Sequence, residues 1–203
     1  MVSRCLVIGK TNVGKSLFVL HFARFLGMSH IKVTSLDPMG NRQVQAYAVD
    51  VAVRDLSGTV PHQTRRLQSV TLELPAGKGS KTFELVDTSG LMDGIHADIE
   101  VRRAMAQTLA HVREARAILH MVDASKAAER GAVGAIGEVD YQVAQFAQMR
   151  GGYCILANKM DLPTAAEGLE IIRREFAGHL IIPISALYGH GFKEVKRFVW
   201  SWV

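Results

Sequence analysis

Residues 9–16, Gly9-Lys10-Thr11-Asn12-Val13-Gly14-Lys15-Ser16, restrict what this chain can fold into more than any other stretch. An apolar run, Cys5-Leu6-Val7-Ile8, precedes them, and a segment with helical apolar spacing begins at Leu17. Strand, glycine loop and helix in that order are the setting in which a GxxxxGK[ST] pattern signifies a phosphate cradle. The glycines let the loop turn back so that successive backbone N–H groups converge on a phosphate chain. The positive end of the helix lies behind them. Lys15 is then placed to reach the β- and γ-phosphates, and the Ser16 hydroxyl to ligate magnesium (Mg2+).

Beyond that loop the pattern alternates. Val2 to Ile8 is expected to be a buried parallel strand, because its apolar residues run together. Ser16 to Gly27 carries apolar residues at near-helical spacing, with Gly27 as a stop. Residues 28–60 form a long insertion rich in turn formers around Asp37-Pro38-Met39-Gly40-Asn41. In it Val44, Tyr47, Ala48 and Val51 fit a helical face, while Val49, Val51 and Val53 fit a strand face; a short helix inside a mobile insertion is the expectation. Ser69 to Leu74 alternates as a half-exposed strand, Pro75 to Ser80 is a hairpin connection, and Lys81 to Val86 returns. A helix over Ala97 to Ala115, a strand over Ala117 to Val122 and a small-residue loop from Ala124 to Gly137 follow. The remainder reads helix (about Glu138 to Met149), strand (Tyr153 to Ala157), helix (Thr164 to Phe176), strand (Leu180 to Ile184) and helix (Gly191 to Trp202).

Such alternation implies an α/β fold of three layers, a mostly parallel six-stranded sheet with one antiparallel edge strand between helices. A chain of 203 residues with 48% apolar content supports one domain over 1–203. No uncharged apolar run approaches a membrane span and no cleavable leader is evident, so a cytoplasmic location is expected. Cys5 and Cys154 fall in strands and are read as buried core residues. The eight histidines show no metal spacing. Trp200 and Trp202 are either anchors of the last helix or a docking patch.

Two further motifs stand where parallel strands end, the edge at which α/β sheets bind ligands. In Asp87-Thr88-Ser89-Gly90, the Asp87 carboxylate is placed to hold magnesium through water and the Gly90 N–H to meet a γ-phosphate. In Asn158-Lys159-Met160-Asp161, the Asp161 carboxylate suits the paired N1–H and N2–H donors of guanine. Adenine offers no such pair and would leave the carboxylate unmatched. The Lys159 stem is expected to lie over the base, and the Asn158 amide to brace the phosphate loop. Ser185-Ala186-Leu187 follows the last strand, with the Ala186 N–H expected to donate to the guanine oxygen.

These motifs, in this order, resemble the GTPase superfamily of P-loop proteins over essentially the whole chain. The Asn12 form of the loop is similar to the bacterial Era/Der (EngA) and MnmE group, whose members assist ribosome assembly or tRNA modification. The resemblance implies that GTP or GDP binds through Gly9, Lys10, Thr11, Asn12, Val13, Gly14, Lys15, Ser16, Leu17, Asn158, Lys159, Asp161, Ser185, Ala186 and Leu187. It places a magnesium-binding switch I threonine at Thr64, within Pro61-His62-Gln63-Thr64-Arg65, with Thr59 as fallback. His62 departs from the family's glycine. Leu91 stands where a Ras-like protein carries its catalytic glutamine. The resemblance puts Asn12 beside a potassium ion (K+) that substitutes for an arginine finger, so that Lys15, Asn12, Gly90 and Thr64 carry catalysis.

The expected function is therefore a potassium-stimulated GTP hydrolase acting as a switch, in ribosome assembly or another RNA-related process. Era and Der carry an RNA-binding appendage that this chain does not show. Its partner, ribosomal RNA, a ribosomal particle or a protein effector, is expected at the switch I insertion over residues 28–60. Arg54, Arg65 and Arg66 and the net charge of +5 are compatible with RNA. A GTP-dependent dimer is also compatible. Two alternatives stand beside this reading: a GTP-binding scaffold with negligible turnover, permitted by Leu91, and a detached GTPase domain related to ferrous-iron transport, against which the lack of a spanning segment argues.

Overall fold

The computed structural model describes residues 2–36, 42–56, 67–76, 79–87, 112–135, 138–149 and 151–203. Among the described residues eight strands form one sheet. In chain order they are β1 (Ser3–Ile8), β2 (His30–Leu36), β3 (Arg42–Ala48), β4 (Leu67–Ala76), β5 (Gly79–Asp87), β6 (Ala117–Asp123), β7 (Tyr153–Asn158) and β8 (Ile181–Pro183). Across the sheet they run β3-β2-β4-β5-β1-β6-β7-β8. The pairs from β5 to β8 are parallel, and those joining β3, β2, β4 and β5 are antiparallel. Six helices are described: α1 (Lys15–Phe25), α2 (Val49–Leu56), α3 (Ala124–Ala135), α4 (Glu138–Gln148), α5 (Ala165–Glu175) and α6 (Phe192–Trp202).

The uninterrupted apolar runs of the central strands are split by the pleat between two cores. Cys5 and Val7 of β1, Leu119 and Met121 of β6, and Cys154 and Leu156 of β7 join α1 and α6 on one face. Leu6, Ile8, Ile118, Val122, Ile155 and Ala157 face α3, α4 and α5 on the other. Both cysteines are fully buried, as expected. Phe18, Phe22 and Phe25 of α1 surround Phe192 of α6, with edge-on ring centroids 5.4–5.6 Å apart. That geometry suits the aromatic quadrupole and fixes α1 against α6.

The α/β class holds, but the sheet is wider than six strands. The insertion contributes β2 and β3, paired from His30 opposite Ala48 to Leu36 opposite Arg42, and β4 lies between β2 and β5. The antiparallel part is three strands deep rather than a single edge. The short helix of the insertion begins only at Val49, so Val44 and Tyr47, which fit a helical face on paper, sit in a strand. Neither face of β3 is covered over Arg42–Ala46, and an exposed strand shows no burial-driven alternation in its sequence.

A second correction concerns residues 124–135. They form α3 rather than a loop, with the chain breaking helical geometry at Gly131 (φ 72°). The glycines suggested a loop, whereas the alanines between them have the highest helix propensity and pack inward at Ala124 and Ala127. Most of the helix expected over 97–115 lies outside the described residues; Val112 to Glu114 are helical. Trp200 packs partly buried beneath the Lys81 ammonium, 4.2 Å from its ring centroid, and Trp202 is exposed. No helix among the described residues is long and apolar enough to cross a membrane.

Candidate nucleotide site

Ile8, Asp87, Asp123, Asn158 and Pro183 terminate five neighbouring parallel strands, so the loops that follow them meet along one edge of the sheet. Lys10 to Gly14 fold back between β1 and α1, with Val13 N–H donating to the Lys10 carbonyl at 3.3 Å. Asn12 takes φ 65° and Gly14 φ 100°, left-handed conformations that let consecutive N–H groups point the same way. The Lys15 side chain is 3% exposed and donates from Nζ to the Gly9 carbonyl at 2.6 Å and the Lys10 carbonyl at 3.0 Å. The loop's own dipoles thus satisfy the buried ammonium and hold it over the cradle.

Beside it, Ser16 Oγ donates to Asp87 Oδ2 at 2.5 Å, both residues being buried. A hydroxyl and a carboxylate oxygen, side by side at the mouth of an anion cradle, are hard donors of the kind magnesium takes, and the pair fits that ion. Among the described residues no cluster of three His, Cys, Asp or Glu side chains forms a self-sufficient metal site.

On the other side of the loop, Asn158 Nδ2 donates to the Val13 carbonyl at 2.7 Å, and Asn158 Oδ1 accepts the Ala186 N–H at 2.9 Å. Ser185 Oγ donates to Asp161 Oδ1 at 2.6 Å and accepts from the Tyr188 N–H at 3.2 Å. The Asp161 carboxylate is thereby aimed while the residue stays exposed. Lys159 takes φ 67°, and its Nζ lies 2.6 Å from Asp123 Oδ2. Burial pushes the Asp123 carboxyl up; hydrogen bonds from Lys159 and Ser125, the Lys159 charge and the Lys126 N–H outweigh it, and the group settles below the ordinary carboxylate value.

Every described residue expected in the site lies on this edge: 9–17, Asp87, 158–161 and 185–187. The Ala186 N–H, expected to face a guanine oxygen, donates to Asn158 Oδ1. Thr59, Thr64, Gly90 and Leu91 lie outside the described residues.

Three neighbours of the site's residues escaped the sequence reading. Asp123 was hidden because the stretch after it read as a loop; Asp-x-Ser ahead of an alanine-rich run is a helix-start signal that reveals it. His21, one turn beyond Leu17 on α1, meets the Leu187 carbonyl through Nδ1 at 3.0 Å, which requires the proton on that nitrogen. Its burial, with opposing contributions from the Leu187 and Ala186 carbonyls and a further lowering by Arg24, leaves its pKa below the usual value. His120, in β6, is 1% exposed and bonded through Nδ1 to the Tyr153 hydroxyl at 2.8 Å. Burial, then the Lys15 charge, lowers its pKa to about 3.

A family described as 50S ribosome-binding GTPase matches residues 4–159. The curated protein GTPase Obg of Halalkalibacterium halodurans is 32% identical over 122 residues, 59% of this chain and 28% of its own length. Its namesake from Ruminiclostridium cellulolyticum is 29% identical over 119 residues, 57% of this chain and 27% of its own. The chain thus spans little more than a quarter of the length of these relatives. Among solved structures, a single-residue variant of Aquifex aeolicus Era bound to GDP.AlF4- superposes on 100% of this chain and 57% of its own, with TM-score 0.60 at 21% identity. The G domain of the Thermotoga maritima FeoB iron transporter covers 100% of this chain and 99% of its own, with TM-score 0.51 at 15% identity. At such identities the two structures speak for the fold alone.

Proposed function

The chain belongs to the family of 50S ribosome-binding GTPases, and from that premise we propose that it is a guanine-nucleotide switch acting in ribosome assembly or another RNA-related process. GTP hydrolysis follows from the family; the process, the partner and the residue roles are our reading. The observation that carries it is the Asn158 carboxamide, bonded at once to the phosphate loop and the base loop, beside an Asp161 carboxylate aimed by Ser185.

In this reading the Lys10 to Ser16 backbone cradles the phosphates and Lys15 reaches the β- and γ-phosphates. Ser16, Asp87 and Thr64 would hold magnesium, which supplies charge neutralisation at the phosphates when bound. Gly90 and Thr64 would contact the γ-phosphate only before hydrolysis, so the two nucleotide states present different surfaces. Leucine at position 91 cannot orient a water, and turnover without an activator is slow. Asn12, exposed at the rim of the cradle, would hold potassium, whose fixed charge favours bond cleavage. The Asn12 form of the loop supports placement near the Era, Der and MnmE group. The β2–β3 ribbon and α2 form the surface an effector would touch, whether ribosomal RNA, a particle or a protein.

Calorimetry with magnesium and GDP, ADP or XDP tests the reading. GDP is expected to bind and ADP not, and Asp161→Asn to transfer preference to XDP, whose 2-oxo group accepts from the new amide. Equal affinity for ADP and GDP overturns it. Single-turnover hydrolysis in potassium against sodium separates the hydrolase from a binding scaffold; equal rates remove the potassium assignment.

A further inference from the structure

The Asp123 carboxylate closes β6 with its side chain 3% exposed, and its two oxygens serve different partners. Oδ1 accepts from Ser125 Oγ at 2.6 Å and from the Lys126 N–H at 3.2 Å. This is the arrangement of a helix cap, with the carboxylate holding an otherwise unpaired amide in the first turn of α3. Oδ2 lies 2.6 Å from Lys159 Nζ, the residue after Asn158, which stands opposite Asp123 in the β6–β7 register.

Capping accounts for only half of this. A serine or asparagine caps as well as an aspartate, and neither brings a second, negatively charged oxygen to bear on a lysine. The Lys159 backbone is itself held at φ 67°, a region that L-residues other than Asn and Asp seldom enter. A free lysine side chain carries one of the larger rotamer entropies of any residue and turns its ammonium to water. Here the ammonium is tied at one end and the backbone turned at the other, so fewer paths are open to the four-carbon stem between them.

We propose that Asp123 is a positioning residue for the base site, holding the Lys159 ammonium so that the lysine stem is laid along the base's face before nucleotide arrives. This rests on the guanine reading above. Ordering the stem in advance spares the complex that entropy and keeps a partly buried cation paired while the base displaces water.

The two oxygens separate the roles. Asp123→Asn keeps an Oδ1 acceptor for Ser125 and Lys126 and puts an amide where the anion was. Lys159→Met keeps an apolar stem without the charge. Release of N-methylanthraniloyl-GDP is measured by stopped flow for the full chain, both single variants and the double variant. Asp123→Asn is expected to release nucleotide about tenfold faster in the natural background and less than twofold faster in the Lys159→Met background. The same factor in both backgrounds, or no change in either, overturns the proposal and leaves Asp123 a cap alone. Asp123→Ser, which retains a capping oxygen that cannot reach Lys159, must reproduce the Asn result; should Asp123→Asn not fold, it stands in for it. If the unaltered chain binds no GDP, the guanine reading itself falls, an outcome distinct from four proteins that bind it alike.

Discussion

The Asn158 carboxamide bridges Val13 and Ala186, donating to one backbone carbonyl at 2.7 Å and accepting from the other residue's N–H at 2.9 Å. One buried side chain thus fixes the distance between a loop suited to phosphates and a loop suited to a purine. In Asn158→Ala both backbone groups lose their partner, at about 1–3 kcal/mol for each buried group left unmatched. GDP affinity is expected to fall at least tenfold, together with the Tm. Calorimetry and thermal unfolding read the two effects, and unchanged affinity removes Asn158 from the site.

Gly14 meets the same amide from below. A Cβ built there lies 2.7 Å from Asn158 Nδ2, at a backbone φ of 100° that an alanine adopts only under strain. Gly14→Ala is expected to push Asn158 off Val13, so its cost in GDP affinity overlaps that of Asn158→Ala. The double variant should lose little more than the worse single one. Additive losses in calorimetry would show that the two residues act separately.

His120 links stability to pH. An unfolded imidazole takes its proton near 6.5, whereas in the folded chain burial and the Lys15 charge hold it off until about 3. Above 6.5 both states are neutral and nothing is gained or lost. Between 6.5 and 3 only the unfolded state binds the proton, so folded stability falls with pH by up to about 1.4 kcal/mol per unit. His120→Gln removes this contribution. Urea unfolding at pH 7.5, 6 and 5 should show the natural chain losing stability faster than the variant; parallel losses contradict the assignment.

Gly168 lets α5 lie directly on the start of α3. A Cβ there falls 1.7 Å from the Ala124 carbonyl oxygen and 2.7 Å from its carbon, so backbone must move to admit it. Gly168→Ala is expected to cost about 1–3 kcal/mol through overpacking. At this chain length that lowers the Tm by roughly 2–4 °C per kcal/mol. A thermal melt unchanged within a degree would contradict so close an approach.

The candidate site was legible because its chemistry is local. A phosphate cradle needs its glycines, lysine and serine within eight positions, and Asn158 and Asp161 must sit three apart on one strand exit. The core strands were legible too, since Cys5 to Ile8 and Tyr153 to Ala157 are buried on both faces and read as unbroken apolar runs. The insertion was not. Both faces of β3 are exposed over Arg42–Ala46, and no burial pattern marks it. Residues 124–135 misled in the other direction, as two glycines in twelve positions outweighed the alanines that build α3.

By itself the sequence determined which groups are offered to a ligand and in what order along the chain. Those choices are made by residue type and short-range spacing. Only the tertiary structure decided what those groups bond to within the chain: Lys15 to loop carbonyls, the Ala186 N–H to Asn158, Lys159 to Asp123. Each of the last two joins residues more than twenty-five positions apart, with separations of 28 for Ala186 and Asn158 and 36 for Lys159 and Asp123. Such pairings depend on where the parallel sheet ends its strands, and no local pattern in the chain encodes that distance.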